Sequence, residues 1–234
     1  MPGSVKRFDW SYADECPENV FGPGYTHAHD ECYRCVAPYN VEKFKRLVRD
    51  TDNHEILIYI DGACPNNGRE SAQSGSGVVY RKDVVWQGGK DIVKYAGLSF
   101  AVEQFGLDGD RYKPTSNRAE LRAALAALQC LDWENENVRS LVLATDSTYV
   151  VSGCTDWVRK WERNGWRLSN GLPVKNKDLW EAMSNEMESI NDDGVDIKFW
   201  QIPRAWNVAD ALAKEGALKQ QARCFRKRFG NASR

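Results

Sequence analysis

Four carboxylates stand in short motifs next to apolar runs: Asp61 in Asp61-Gly62-Ala63-Cys64, Glu120 in Asn117-Arg118-Ala119-Glu120-Leu121, Asp146 in Thr145-Asp146-Ser147, and Asp210 in Asn207-Val208-Ala209-Asp210. Burying one lone carboxylate costs on the order of several kcal/mol unless a metal, a cationic partner or a raised pKa relieves it. Several converging carboxylates also repel one another. Mg2+ or Mn2+, which take oxygen ligands in octahedral geometry, relieve both problems. Taken singly, each acid has an ordinary reading. Asp61-Gly62 suits a turn, Asp146 a helix cap, Glu120 a capping box with Asn117, and Asp210 a first-turn acid facing a helix dipole. Their joint occurrence at element ends favours a shared cation site.

The elements that must position these acids are legible from hydrophobic periodicity. The run 55–60 reads as a buried strand that delivers Asp61 at its C-terminal end, and 140–145 does the same for Asp146. Glu120 lies in the first turn of a helix over roughly 117–131. Ala124, Leu128 and Leu131 share its face, so it points at the sheet. Strands at 75–80 and 84–88 complete an antiparallel meander with the first. Between 91 and 113, the part 95–105 reads as a partial helix or an insertion. A short helix starts near Ser147 and another covers 156–163. A helix over 177–191, a strand over 196–202 and a helix over 207–218 follow. Strands alternating with helices after a meander predict a mixed α/β sheet with helices on both faces, whose ligands gather at strand C-terminal ends.

From about His54 to Leu218 the chain resembles a type 1 ribonuclease H. The likeness rests on Asp61-Gly62-Ala63-Cys64-Pro65-Asn66-Asn67-Gly68, the small-residue strand Gly75-Ser76-Gly77-Val78-Val79-Tyr80, and Thr115-Ser116-Asn117-Arg118-Ala119-Glu120-Leu121. It extends through Trp157-Val158-Arg159-Lys160-Trp161, Asn164-Gly165-Trp166 and Pro173-Val174-Lys175-Asn176-Lys177-Asp178-Leu179-Trp180. The resemblance implies an RNase H-like fold with a five-stranded mixed sheet. It also implies an endonuclease that hydrolyses the RNA strand of RNA–DNA hybrids by two-metal-ion catalysis, leaving 5′-phosphate and 3′-hydroxyl ends. Matched by motif, Asp61 bridges two Mg2+ ions, with Mn2+ as a substitute. Asp210 completes the site of the nucleophilic water, and Glu120 and Asp146 hold the leaving-group metal.

The same matching implies that Asn67, Ser116, Asn117 and Glu120 read the 2′-hydroxyl of RNA. Thr115, Asn176 and Lys113 match a pocket for a DNA phosphate, and Tyr149, Trp157 and Trp161 an aromatic floor for deoxyribose. Trp166 lies in the same stretch, where Arg159, Lys160, Arg163, Arg167, Lys175 and Lys177 interleave with aromatics in a pattern suited to a phosphate backbone. Trp180 is expected in the core. One departure stands out. Ile202-Pro203-Arg204-Ala205-Trp206-Asn207 runs into the last acid without the Gly-rich loop and His of many cellular relatives. Arg204 is the candidate source of positive charge there. Alternatives are a hybrid- or RNA-binding module with weak or no catalysis, and a nuclease acting on structured RNA.

At 234 residues and net charge −1, the chain suits one domain with extensions and not a generally basic binder. The expected division is an N-terminal arm over 1–53, a catalytic domain over 54–218 and a basic tail over 219–234. In the arm, Cys16, His27, His29, Cys32 and Cys35 suit a structural zinc ion held by the three thiols and one imidazole; the other reading is reduced thiols in a poorly ordered arm. Seven cysteines, an odd and uneven set, argue against a secreted disulfide framework. No apolar run is long enough for a membrane span and no signal-peptide core is visible. The expectation is therefore an intracellular monomer, cytoplasmic or nuclear, with nucleic acid as partner and no membrane.

Overall fold

The computed structural model describes residues 3–9, 11, 14–24, 46–130, 133 and 137–227. Its strands are β1 (Val5–Arg7), β2 (Phe21–Gly24), β3 (Arg46–Arg49), β4 (Asp52–Ala63), β5 (Gly75–Gln87), β6 (Lys90–Ala101), β7 (Ser140–Thr145) and β8 (Asp196–Gln201). The helices are α1 (Ser116–Gln129), α2 (Thr148–Ser152), α3 (Val158–Arg163), α4 (Lys177–Asp192) and α5 (Asp210–Ala217). A π-helical turn over Gly153–Trp157 joins α2 to α3.

β4 is the spine of one mixed sheet. It pairs antiparallel with β5 and parallel with β7, and β7 pairs parallel with β8. Its side chains alternate between two cores, as the pleat requires. Ile56, Ile58 and Ile60 face a core shared with α1, α2 and α4, while Leu57 and Tyr59 face a second core with Val142, Ala144, Trp200 and Ala209. β4 and β7 are buried on both faces, which is why they read as continuous apolar runs. α1 fits between the sheet and α4 because Ala119, Ala123, Ala124, Ala126 and Ala127 are small enough to be enclosed almost entirely.

Among the described residues the sheet has eight strands and not five. Three come from the segment expected to stand apart as an arm: β1 runs parallel beside β8, β3 antiparallel beside β4, and β2 beside β3. The physical reason is twofold. β8 and the start of β4 have free hydrogen-bonding edges, and Phe8, Val20, Phe21 and Leu47 supply the apolar cover for the second core. The expected boundary at 53/54 falls inside β4. The part expected as a tail is docked as far as residue 227. Gln104 and Phe105 N–H groups donate to Ala222 and Arg223, and the Arg122 guanidinium lies between the Phe100 and Phe225 rings.

Two local expectations also change. The run 84–88 is the end of β5, which turns at Gly88-Gly89, both at positive φ (61° and 85°). The stretch 95–105, expected as a partial helix or an insertion, instead supplies the second half of β6, which pairs with β5 from Lys90 to Ala101. Cross-strand partners such as Val78 and Leu98 outweigh the weak helical periodicity there. Among the described residues, no helix is long and apolar enough to cross a membrane.

Candidate active site

Strand register places the first pair of acids. Tyr59 lies opposite Ala144 in the parallel β4–β7 ladder, so Asp61 and Asp146 leave adjacent strand ends at the same level. Glu120 arrives from the first turns of α1, which rests on β4 at Gly62. A Cβ at Gly62 would lie 2.1 Å from the Glu120 backbone nitrogen, so only glycine allows the helix this close. Asp210 arrives from the other face. α5 presses on β5 at Gly77, where a Cβ would lie 2.5 Å from both Ala209 O and Ala213 N. Each acid is thus set by a strand end or by a helix start pressed onto the sheet.

Polar ties fix their orientation. Buried Asn207 donates from Nδ2 to Ile60 O (3.0 Å) and to Asp146 Oδ1 (2.8 Å), joining the approach to α5 to the ends of both central strands. Ser147 Oγ donates to Glu120 Oε2 and accepts from Val150 N, capping α2. Arg204 NH2 lies 3.1 Å from Asp210 Oδ1, its NH1 lies 4.0 Å from Asp146 Oδ2, and Lys214 Nζ lies 2.6 Å from Asp210 Oδ2.

The electrostatics show the cost of this convergence. Burial, reinforced chiefly by Asp146 and further by Asp210 and Glu120, pushes the Asp61 carboxyl up to about 7 against a hydrogen bond from Gly62 N–H. Burial also raises Glu120, with Asp146 adding to it and Ser147 and Arg204 opposing it. Asp146, first, and the other acids raise the Arg204 guanidinium above its ordinary value. An all-oxygen donor set in which one carboxylate resists ionising suits a hard divalent cation in chemistry and place. Its geometry is open: among the described residues, no three Asp, Glu, His or Cys side chains are gathered tightly enough to hold a metal ion as they stand.

The remaining site residues fall into two groups. Asn67 sits in the exposed turn after β4, and Lys113, Thr115, Ser116 and Asn117 lead into and begin α1. The Thr115 hydroxyl caps this helix by accepting from Arg118 N (3.2 Å). Asn176 caps α4 from a left-handed conformation (φ 56°). Arg118 joins the two: it donates to Asn176 Oδ1 (3.3 Å) and grips Asp178 in a buried two-pronged pair (2.8 and 2.7 Å). The second group is aromatic. Tyr149, Trp157, Trp161 and Trp166 form a chain with ring centroids 6.1, 5.6 and 6.4 Å apart. Fully buried Trp180 lies beneath and donates from Nε1 to Tyr149 Oη (2.9 Å).

Sequence reasoning passed over Asn207, Ser147, Arg118 and Lys214 as site residues. All four lie within or beside the quoted motifs, but their partners are set by the fold. Of the zinc candidates, Cys16 is a half-buried free thiol, and His27, His29, Cys32 and Cys35 lie outside the described residues.

Comparison with known proteins places the chain among relatives of one family. The RNase H family model matches residues 53–217. Human "Ribonuclease H1" is 30% identical over 206 residues, covering 85% of this chain and 63% of that protein, and the mouse protein of the same name is 33% identical, covering 71% and 51%. The chain therefore spans about half to just under two thirds of these mammalian relatives. "Ribonuclease H" of Mannheimia succiniciproducens is 32% identical over 163 residues, covering 70% of this chain and 87% of that one. Among solved structures, a type 1 RNase H with the type 2 active-site motif is 26% identical with a TM-score of 0.46, covering 70% of this chain and 72% of that one.

Proposed function

This chain belongs to the RNase H family, and on that premise we propose that it is an endonuclease hydrolysing the RNA strand of RNA–DNA hybrids with divalent cations. The observation that carries the reading is the meeting of four acids from four elements, with Asp61 pushed up to about 7 by burial and by its neighbours. Such a repelling set suits the binding of external cations. Asp61, Glu120, Asp146 and Asp210 would hold Mg2+ or Mn2+, which would supply activation of a water and stabilisation of the leaving 3′ oxygen, leaving 5′-phosphate and 3′-hydroxyl ends.

The chain's own residues supply position and charge. Asp210 lies on the water side, and Glu120 and Asp146 on the leaving-group side. Asn207 holds Asp146 in place through its amide, and Ser147 orients Glu120. Arg204 brings a guanidinium to the Asp146–Asp210 side, where a phosphate needs positive charge. Asn67, Ser116 and Asn117 are proposed to read the 2′-hydroxyl, which only the RNA strand offers. Thr115, Asn176 and Lys113 are proposed to take a DNA phosphate, with the Asn176 amide held by Arg118 at Oδ1 and donating from Nδ2 to Tyr149 Oη (3.5 Å). Tyr149, Trp157 and Trp161, extended by Trp166, present the aromatic surface for the DNA strand.

The test is incubation of the purified chain with end-labelled hybrid, duplex RNA and single-stranded RNA, with Mg2+ or Mn2+ and an Asp146→Asn control. Cleavage of the hybrid's RNA strand, lost in the control, is expected. Tight hybrid binding with no substrate cut would instead assign a binding module, and cutting of duplex RNA alone would assign a nuclease of structured RNA.

A further inference from the structure

Asp210 differs from the other acids in its company. Each of its oxygens is already taken by a cation of the chain itself, Oδ1 by Arg204 at 3.1 Å and Oδ2 by Lys214 at 2.6 Å. Asp61 and Glu120 have no such partner: among the described residues, neither forms an ion pair. Asp61 and Glu120 are thus open to an external cation, Asp146 lies at the edge of Arg204's reach (4.0 Å), and Asp210 holds two internal cations.

Lys214 follows Asp210 by one turn of α5, so the helix itself sets the approach, with the acid N-terminal to the base in the favourable order. Its side chain is 61% exposed and Asp210's is 25% exposed, so the ammonium can swing into water without disturbing the helix. Unlike Arg204, which also faces Asp146, Lys214 contacts Asp210 alone of the four acids. A divalent cation seeking Asp210 Oδ2 must displace the ammonium or sit within a few ångströms of it. Either lowers affinity on that side alone.

We propose that Lys214 is the internal counter-ion of Asp210. It neutralises this carboxylate while no external cation is bound and yields when one arrives. It thereby sets the free cation concentration at which the Asp210 side fills, while the Asp61–Glu120–Asp146 side fills without that competition. This rests on the cation-binding part of the proposed function and not on the choice of nucleic acid. A unit charge a few ångströms from a divalent ion near the protein surface changes its affinity by roughly 3- to 10-fold, less at high salt.

The test uses Mn2+ and the full chain without nucleic acid, followed by calorimetry and by the electron paramagnetic resonance signal of free Mn2+. Lys214→Gln should tighten the weaker class of binding by about 3- to 10-fold and leave the tighter class alone. Lys214→Arg, which keeps the charge, should behave as the parent chain, and Asp210→Asn should lose the weaker class. Unchanged or weakened Mn2+ binding in Lys214→Gln overturns the proposal, as does equal tightening in Lys214→Arg. A chain that binds Mn2+ in this pattern but leaves hybrid uncut would refute the nuclease reading and leave this inference standing. No Mn2+ binding by the parent chain would overturn both.

Discussion

Asp61 combines the highest electrostatic cost with the central place in the site. Its raised carboxyl has a consequence for stability with a definite sign. Below about pH 4 the group is protonated in folded and unfolded chains alike. Between the ordinary value of 3.8 and about 7 the unfolded chain releases the proton while the folded one retains it. Stability without cations therefore falls as pH rises through that window and stays reduced above it. Asp61→Asn, which mimics the protonated group, should raise the melting temperature at pH 8 in EDTA by about 2–6 °C. The gain should shrink toward pH 4, and calorimetry across the series reads it; a melting temperature lowered at pH 8 would contradict the assignment. Asn207 works in the opposite sense, holding two groups together across the site. Asn207→Ala strips the Ile60 carbonyl and Asp146 of their donor, so a loss of about 1–3 kcal/mol in urea unfolding is expected, with weaker Mn2+ binding.

At the scale of elements, the site depends on two helices lying unusually close to the sheet. Packing of α1 on β4 leaves no room for even a methyl group at Gly62, where the nearest atom would be the Glu120 backbone itself. Gly62→Ala should therefore cost more than about 2 kcal/mol and displace Glu120 from the other acids. Denaturant titration together with Mn2+ binding measures both; parent-like values in each would mean that the contact is not tight. The aromatic chain from Tyr149 to Trp166 shows a related economy. Tyr149, Trp157 and Trp161 are carried on one helical run whose π-helical turn, Gly153–Trp157, holds Trp157 beside Tyr149 and Trp161, and Trp166 follows beyond the end of α3.

At the scale of the whole molecule, the described residues form one sheet with two cores, and the N-terminal segments complete the second of them. Phe21 is 1% exposed against Phe8 and Trp200. Phe21→Ala should lower stability by about 3–5 kcal/mol in urea unfolding. Because the acids lie at the strand ends, hybrid cleavage per folded molecule at low temperature should remain near that of the parent. A stability change below about 1 kcal/mol would mean that β2 is dispensable to the fold.

The acids, the central strands and the main helices were legible because their signals are local: an apolar run ending in Asp, a helical period starting at Glu120, small residues where elements touch. Lys214 was within reach too, four residues after Asp210. The rest depended on partners far along the chain. Nothing near Asn207 announces that its amide reaches Ile60 and Asp146, and nothing near Arg118 announces Asn176 and Asp178. The N-terminal strands were hidden for a related reason. Three or four residues carry no reliable period, and β1, β2 and β3 are strands only because β8 and β4 offer open edges and an uncovered apolar face. Sequence alone determined which groups are candidates for chemistry and the elements that deliver them. Tertiary structure decided which charges meet, and so which carboxylate resists ionising and which is already held by the chain's own cations, because Coulomb energies follow distance and burial and not order along the chain.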